Sequence, residues 1–296
     1  MSDPADAFAA APVEPGLHLV AVPIGAARDV TLRALDLLRG ADVLAAEDTR
    51  SLRRLMEIHG VPLGDRPLVA YHEHSGDGAR ARLARALAEG RSVAYASEAG
   101  TPLVADPGFR LAAEARAAGV AVRAAPGASA VLAALVVSGL PTDRFLFAGF
   151  LPPKRAARRA ALEAVAGVPA TLVFYESPKR LGAMLSDAGA VLGPREAAVC
   201  RELTKRFEEV ARGTLPALAE RFAEGTRGEV VVVVDRAAPV AATDAVVEAA
   251  LREAMARMSL SLSAKSVSEA LGVPRKQVYE MALRMRDDDG SDGDGG

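Results

Sequence analysis

The chain has 296 residues, of which half are apolar and a quarter are charged, as in globular proteins of one large or two medium domains. No apolar run reaches the roughly 18–20 residues that a membrane-spanning helix needs, and residues 1–16 lack the layout of an export signal. Cys200 is the single cysteine, so it can neither form an intramolecular disulfide nor build a zinc site. The four histidines are scattered along the chain. We therefore expect a cytoplasmic protein without a metal or a membrane contact.

The net charge of −2 is unevenly distributed along the chain. Residues 1–16 carry three acids and no base, and residues 287–296 carry five acids and no base. Without those eight acids, 36 basic residues stand against 30 acidic ones, a charge of about +6 that is compatible with a polyanionic partner. Because both ends are rich in Ala, Pro, Gly and Asp, we expect them to be disordered tails.

The first half alternates short apolar runs with segments of helical length. The predicted strands are 17–22, 41–46, 67–72, 92–97 and 120–125. The predicted helices are 31–39, 49–58, 77–89 and 108–118. Strands separated by helix-length segments indicate βαβ units with a largely parallel sheet, which we assign to a first α/β domain over 17–142.

The pattern changes after Pro141, where a second group of strands and helices begins. Its predicted strands are 145–150, 170–176, 197–203 and 229–235, and its predicted helices are 154–166, 178–190 and 215–224. A second α/β domain over 143–236 explains this better than one continuous core. A linker over 237–243 then leads to an all-helical unit over 244–286, with helices at 244–258, 263–271 and 275–286.

Three loops after predicted strands contain mostly small residues, at 22–25, 97–108 and 126–130. Gly and Pro end strands in many proteins, but three such loops on the carboxyl side of one sheet predict a ligand site there. The loops contain neither a dinucleotide-binding nor a triphosphate-binding glycine motif, and they contain no lysine. We therefore expect a small ligand with modest negative charge.

Seven short motifs occur in a fixed order. They are VPIG at 22–25, EDTR at 47–50, AGTPLVADPG at 99–108, PGASA at 126–130, FAGFLP at 147–152, FYESPKR at 174–180 and RELTK at 201–205. In this order they resemble the tetrapyrrole-methylase superfamily over residues 17–286, and within it the bacterial enzymes that methylate a cytidine ribose 2′-oxygen in the decoding region of 16S rRNA. The departures are Glu98 and the pair Ala26-Ala27, where that family commonly has Asp and Asn-Leu.

The resemblance implies a two-domain α/β fold of class III methyltransferases, a C-terminal unit like a helix-turn-helix, and S-adenosylmethionine folded between the two domains. The implied cofactor residues are Pro23, Gly25, Ala99, Gly100, Thr101, Val104, Ser129 and Ala130 from the first domain, and Tyr175, Glu176 and Leu203 from the second. The hydroxyls of Thr101 and Ser129 can hydrogen-bond a carboxylate or a ribose. Asp106 could contact the ligand or cap its own turn. The resemblance also implies a homodimer acting on 16S rRNA within the small ribosomal subunit.

A ribose hydroxyl is a poor acid, so a base or a cation near the acceptor oxygen would assist its methylation. We consider Glu47, Asp48 and Lys205 as catalytic candidates, with Asp48 as a plain N-cap of the following helix as the alternative. The run His72-Glu73-His74 lacks a third ligand at typical spacing, so we expect polar residues of the substrate cleft there and no metal.

Two basic segments are candidates for contact with RNA, together with Arg50. The first predicted helix of the second domain carries four basic residues on one face, with no acid to neutralise them: Lys154, Arg155, Arg158 and Arg159. They would contact phosphate or form a solvated helix face. The C-terminal unit presents Arg275 and Lys276, which favours docking to RNA shape and backbone over a plain three-helix packing unit.

Two other functions remain open at this point. A methylase of a corrin or sirohaem precursor would share the cofactor loops, but it would not need the basic helix or the C-terminal unit. A DNA-binding regulator would use residues 244–286 for DNA and the α/β body as a ligand sensor, but the basic unit is small and lies beside an acidic tail.

Overall fold

The computed structural model describes residues 12–72, 75, 77–104, 108–237 and 243–291. Its strands are β1 (Gly16–Val20), β2 (Val43–Ala46), β3 (Leu68–Ala70), β4 (Ser92–Ala96), β5 (Val122–Ala125), β6 (Phe145–Phe150), β7 (Thr171–Glu176), β8 (Glu196–Arg201), β9 (Glu209–Thr214) and β10 (Val230–Val234). Its helices are α1 (Leu32–Gly40), α2 (Thr49–Ile58), α3 (Asp77–Ala88), α4 (Phe109–Ala117), α5 (Ala130–Ser138), α6 (Arg155–Val165), α7 (Leu181–Leu192), α8 (Leu215–Arg221), α9 (Asp244–Met255), α10 (Leu260–Leu271) and α11 (Arg275–Ser291). They form two compact units, residues 1–236 and 237–296.

The first sheet is parallel throughout, with the strand order β3-β2-β4-β1-β5. Helices cover both faces, because one apolar cluster joins the sheet to α1 and α2 and another joins it to α3 and α4. Strands β2 and β4 are buried along their whole length, which is why they appear in the sequence as continuous apolar runs. The carboxyl ends of β1, β2 and β4 lie at one edge, and their loops lie together there.

The second sheet is mixed, with the strand order β6-β7-β10-β8-β9. Only β6 and β7 pair in parallel, and β10 lies antiparallel to both of its neighbours. Helices α6, α7 and α8 pack on one face. Strand β9 was not predicted, because its sequence EVARGT contains no apolar run; it lies at the sheet edge, where most of its residues are only half-buried.

Helix α5 joins the two sheets into one unit. It follows the last strand of the first sheet, yet Val131, Ala134 and Leu135 pack on the free face of the second sheet, against buried residues of β7, β8 and β10. The boundary at 142/143 thus separates the two sheets in sequence but not their cores. On the opposite side of α5, Leu132 is 52% exposed and Val136 is 73% exposed.

The C-terminal unit is a three-helix packing of α9, α10 and α11 around buried Val247, Leu251, Val267 and Val278. Helix α10 begins three residues before the predicted start, and α11 continues through residues 287–291 of the predicted acidic tail. The helix extends because each added residue gains a backbone hydrogen bond once the helix is nucleated. The predicted linker lies largely outside the described residues, since these omit 238–242.

The residues just before β1 are attached to the first sheet. The Glu14 carboxylate lies 2.6 Å from Arg123 Nη2, and Gly16 already belongs to β1, although both fall in the predicted N-terminal tail. Among the helices that the structure describes, none combines the length and the apolar character needed to cross a membrane.

Candidate functional site: two adjoining cavities

A cavity of about 410 Å³ lies between the carboxyl edge of the first sheet and the face of the second sheet that carries α5. Nine of the eleven predicted cofactor residues line it: Ala99, Gly100, Thr101, Val104, Ser129, Ala130, Tyr175, Glu176 and Leu203. Glu47, a predicted catalytic residue, lines it as well. We call this space the first cavity.

About half of the residues that line the first cavity were not predicted from the sequence. The additional residues are Ile24, Glu98, Phe150, Ser177, Pro178, Cys200, Gly228, Glu229, Val230 and Val231. Cys200 and Val231 lie at directly paired positions of β8 and β10, on the face that meets α5. Strand alternation could have indicated that face, but not that a cavity opens on it. Burial raises the pKa of the Cys200 thiol to about 11, so this cysteine is unreactive at neutral pH.

Backbone contacts fix the loop that follows β4. Val22 and Gly100 exchange two backbone hydrogen bonds of 2.9 and 3.1 Å, and the Ser97 hydroxyl donates to the Gly100 carbonyl at 3.0 Å. The Thr101 hydroxyl donates to the Ala128 carbonyl at 2.9 Å. The Thr101 hydroxyl can therefore only accept a hydrogen bond from a ligand. The Ser129 side chain, at the N-cap of α5, makes no capping hydrogen bond. The amino end of α5 favours a carboxylate at this position.

The charged residues in the lining of the first cavity are four glutamates, Glu47, Glu98, Glu176 and Glu229, and the described lining includes no Lys or Arg. Glu176 is neutralised, because its Oε1 accepts from Arg180 Nε at 2.8 Å and from the Ser177 N–H at 2.6 Å. The expectation of a ligand with modest negative charge is thus wrong. The absence of lysine argues against polyphosphate, but an acidic lining favours a positively charged ligand.

The segment 201–205 borders the first cavity on the side of the second sheet, through Leu203. Glu202 has φ of 51° and Thr204 has φ of 64°, a conformation rare for residues with a side chain and rarest for β-branched ones. Glu202 Oε1 accepts from the Glu229 N–H at 2.9 Å, and Thr204 Oγ1 accepts from the Ala26 N–H at 2.9 Å. Leu203, between them, faces the cavity.

Lys205 holds this segment rather than facing either cavity. Its Nζ lies 2.9 Å from Glu229 Oε2 and 3.1 Å from Glu202 Oε1. Burial lowers the pKa of Lys205, but the hydrogen bonds to Glu229 and Glu202 outweigh it and raise the pKa above its ordinary value. A lysine held charged in this way orients carboxylates and is a poor proton acceptor.

Gly25 is a glycine because of the segment 201–205. A Cβ on Gly25 would lie 2.5 Å from Lys205 Cγ and 2.6 Å from Thr204 Oγ1, closer than real contacts allow. The resemblance assigned Gly25 and Pro23 to the cofactor. The structure places both of them instead in a second cavity.

The second cavity has a volume of about 510 Å³ and adjoins the first, since Glu98 lines both. Asp48 and Arg50 line it too. Asp48 caps α2, because Oδ1 accepts from the Arg50 N–H at 2.8 Å and Oδ2 accepts from the Ser51 hydroxyl at 3.2 Å. The Arg50 N–H is the main reason that the pKa of Asp48 lies below its ordinary value. Glu47 Oε2 accepts from the Glu98 N–H at 3.2 Å, which links the loops after β2 and β4.

The expectation that no acid neutralises the basic helix is wrong. Asp187, buried on α7, lies 3.2 Å from Arg155, 2.7 Å from Arg158 and 2.8 Å from Arg159. Arg158 is only 6% exposed and cannot reach a phosphate. These ion pairs could not be predicted from the sequence, because Asp187 is 28–32 positions away on another helix. Lys154 is exposed, so it remains a candidate for contact with RNA.

Arg275 and Lys276 are exposed at the start of α11. Asp106 lies outside the described residues, as do Glu73 and His74 of the candidate His72-Glu73-His74 run. The residues that the structure describes contain no group of three His, Cys, Asp or Glu side chains that could hold a metal ion.

Comparison with known proteins identifies two family models along this chain. Residues 16–219 match the model of the Tetrapyrrole (Corrin/Porphyrin) Methylases, and residues 241–286 match the RsmI C-terminal HTH domain. The chain is 48% identical to the ribosomal RNA small subunit methyltransferase I of Mesorhizobium japonicum, over 97% of both chains. It is 46% identical to the protein of the same name from Micromonospora olivasterospora, over 89% of this chain and 85% of that one.

Solved structures agree in fold. The methyltransferase CobJ matches with a TM-score of 0.59 at 21% identity, over 75% of this chain and 95% of that one. A uroporphyrin-III C-methyltransferase from Thermus thermophilus, complexed with S-adenosyl homocysteine, matches with a TM-score of 0.52 at 22% identity, over 74% of this chain and 96% of that one. The chain therefore belongs to the tetrapyrrole methylase family, within the group of the ribosomal RNA small subunit methyltransferase I proteins.

Proposed function

We propose that this protein transfers the methyl group of S-adenosylmethionine to the ribose 2′-oxygen of a cytidine in 16S rRNA of the small ribosomal subunit. The observation that carries the proposal is the pair of adjoining cavities, one lined by acidic residues and the other bordered by arginine. The names of relatives up to 48% identical over 97% of this chain support the same activity.

The first cavity fits S-adenosylmethionine. Its volume of about 410 Å³ is within the range of small-molecule sites. Glu47 and Glu98 can attract the positive charges of the sulfonium and ammonium groups, whereas Glu229 is already paired with Lys205. Ser129 and the amino end of α5 can hold the carboxylate, and Ala99, Gly100 and Ala130 allow the close approach that a nucleoside needs.

When bound, S-adenosylmethionine would supply a methyl carbon on a positively charged sulfur, and this sulfur is the leaving group when an oxygen attacks the carbon. The protein contributes positioning and exclusion of water. Tyr175 packs edge-on against Phe150, with ring centres 5.5 Å apart, and Leu203 covers the cavity from the segment 201–205. The Glu47 and Glu98 carboxylates, where the two cavities meet, are suited to accept the hydroxyl proton.

The alternative of a corrin or sirohaem precursor as substrate has weaker support. The solved tetrapyrrole methylases share the fold at 21–22% identity, and their alignments cover only about three quarters of this chain. The unit over 237–296, which carries the RsmI C-terminal HTH domain, is expected to dock RNA through Arg275 and Lys276. A DNA-binding regulator would have no use for a second cavity beside the first.

We also propose a cytoplasmic homodimer. Helix α5 contains no charged residue, and Leu132 and Val136 leave an apolar stripe exposed on the side facing away from the second sheet. An exposed apolar stripe on an otherwise polar surface is typical of a subunit interface.

Labelled S-adenosylmethionine and small subunits from a strain that lacks the modification test this function. We expect label in 16S rRNA, at one cytidine and alkali-resistant as a 2′-O-methyl group, and binding of S-adenosyl homocysteine by calorimetry. Label in a corrin precursor alone would favour the first alternative. Binding without transfer to any acceptor would favour the regulator, and no binding by folded protein would overturn the proposal.

A further inference from the structure

The second cavity combines three kinds of surface that together match one nucleotide. Arg50 and Arg54 stand one turn apart at its rim, with side chains 91% and 74% exposed. Pro23, Leu55 and half-exposed Ile58 supply apolar surface. Glu98 lies at the boundary with the first cavity. Cation, apolar wall and carboxylate correspond to phosphate, base and ribose.

The two arginines remain available to a ligand. Arg50 Nε lies 3.5 Å from Asp48 Oδ1, and Arg54 Nη1 lies 3.6 Å from Glu57 Oε2. Both pairs are long and solvent-exposed, so they hold the guanidinium groups weakly. A phosphate diester accepts two parallel hydrogen bonds from a guanidinium group and would compete effectively for either one.

Glu98 lies where a ribose would meet the methyl donor. Its carboxylate is exposed and makes no hydrogen bond or ion pair with another residue that the structure describes, while its N–H donates to Glu47. A hydroxyl at the junction can therefore donate to Glu98 without displacing an existing partner. The same carboxylate would repel a phosphate, so the phosphate belongs at the arginine rim.

We infer that the second cavity receives a single unstacked nucleotide of the RNA, with its phosphate against Arg50 and Arg54, its base along Pro23 and Ile58, and its ribose hydroxyls toward Glu98. This rests on the proposed function and specifies its acceptor site. A base inside a duplex cannot enter a cavity of about 510 Å³ together with its partner strand, so the target nucleotide is single-stranded or is extruded.

Arg53 supplies a matched control, because it is exposed on the same helix yet lies outside the lining of the cavity. We would measure methyl transfer to unmodified small subunits for Arg50→Ala, Arg54→Ala, the double variant and Arg53→Ala, with S-adenosyl homocysteine affinity from calorimetry. We expect each rim variant to raise KM for the subunit about tenfold and to reduce the salt slope of log kcat/KM by about one. Arg53→Ala should stay within twofold, as should cofactor affinity in all variants.

Glu98 is tested by Glu98→Gln and Glu98→Asp. A ribose-positioning carboxylate predicts a loss of kcat of tenfold or more in Glu98→Gln, unchanged affinity for S-adenosyl homocysteine, and partial recovery in Glu98→Asp.

The inference is overturned if Arg53→Ala raises KM as much as the rim variants do, since the effect is then general charge. It is also overturned if the rim variants weaken cofactor binding in proportion, because the cavity then belongs to the cofactor, or if Glu98→Gln is fully active. Failure of the wild-type protein to methylate any RNA would instead count against the proposed function.

Discussion

The backbone N–H of Ala26 donates a hydrogen bond of 2.9 Å to the Thr204 hydroxyl oxygen, joining residues 178 positions apart. This bond fastens the loop after β1 to the segment after β8. Thr204 and Glu202 hold left-handed backbone conformations at φ of 64° and 51°, which cost roughly 1–3 kcal/mol each and persist only where surrounding contacts enforce them. The part of the border of the first cavity that Leu203 forms is thus fixed before a ligand binds.

Gly25→Ala tests the contact between the loop after β1 and the segment 201–205. The new methyl group would collide with Thr204 and Lys205, so we expect a loss of about 1–3 kcal/mol in stability and weaker binding of S-adenosyl homocysteine. Urea unfolding and calorimetry measure the two effects. Gly167→Ala is the control, because a Cβ there meets nothing within 4 Å. Equal behaviour of the two variants would contradict the role given to the segment 201–205.

Asp48 was considered as a catalytic residue and as a helix cap, and substitution separates the two. Its carboxylate accepts from the Arg50 N–H and from the Ser51 hydroxyl, which is cap geometry. We expect Asp48→Ala to lower the melting temperature and to raise KM by displacing Arg50. Asp48→Ser restores a cap, so it should recover most of the melting temperature and bring KM back to within about twofold of wild type. A folded but inactive Asp48→Ser would instead make the carboxylate part of the chemistry.

Asp187 gives a prediction about pH. Burial raises the pKa of this carboxyl, but hydrogen bonds from Arg159, Arg158 and Arg155 outweigh it, so the pKa lies below its ordinary value. A lowered folded-state pKa stabilises the protein above about pH 4 and stops doing so as the pH falls through the folded value. We expect Asp187→Ala to cost about 3 kcal/mol at pH 7, because the buried Arg158 then loses its charged partner and keeps only its hydrogen bond to the Pro153 carbonyl.

Urea denaturation at pH 7 and near pH 3 measures this effect, and the difference from wild type should shrink at the lower pH. Asp36→Ala, which breaks an exposed pair of 3.7 Å with Arg39, should change stability by less than about 0.5 kcal/mol. If the difference in unfolding free energy between Asp187→Ala and wild type is the same at both pH values, Asp187 acts through packing and not through its charge.

The proposed dimer predicts a loss of association in Val136→Asp. A carboxylate on the exposed stripe of α5 cannot be buried without a partner, so light scattering should give twice the chain mass of 30.6 kDa for wild type and the single mass for the variant. Leu32→Asp introduces the same charge at another exposed leucine and should remain dimeric. A monomeric wild-type protein would disprove the dimer directly.

Much of this architecture is predictable from local pattern. Strands β2 and β4 of the first sheet are buried on both faces, so they stand out as apolar runs. The small-residue loops after β4 and β5 mark the ligand edge, because the carboxyl ends of parallel strands share it. The loop residues that line the first cavity, among them Ala99 and Ala130, could be predicted from that arrangement.

What escaped prediction depends on contacts between distant residues. The buried partner of Arg158 is on another helix, the neighbours of Gly25 come from the second sheet, and Cys200 and Val231 face the cavity only because α5 crosses to that sheet. Strand β9 lacks an apolar run because the sheet edge leaves it half-buried. Periodicity carries no information about such pairings.

Strand β10 is the last strand in chain order but the central one of the second sheet, where it lies between β7 and β8. During translation, β6 and β7 on one side and β8 and β9 on the other have no hydrogen-bonded connection until Val230–Val234 leaves the ribosome. A stop codon between residues 215 and 229, after β9 and before β10, would therefore leave two separate strand pairs with open edges, prone to aggregate, and not a shortened enzyme.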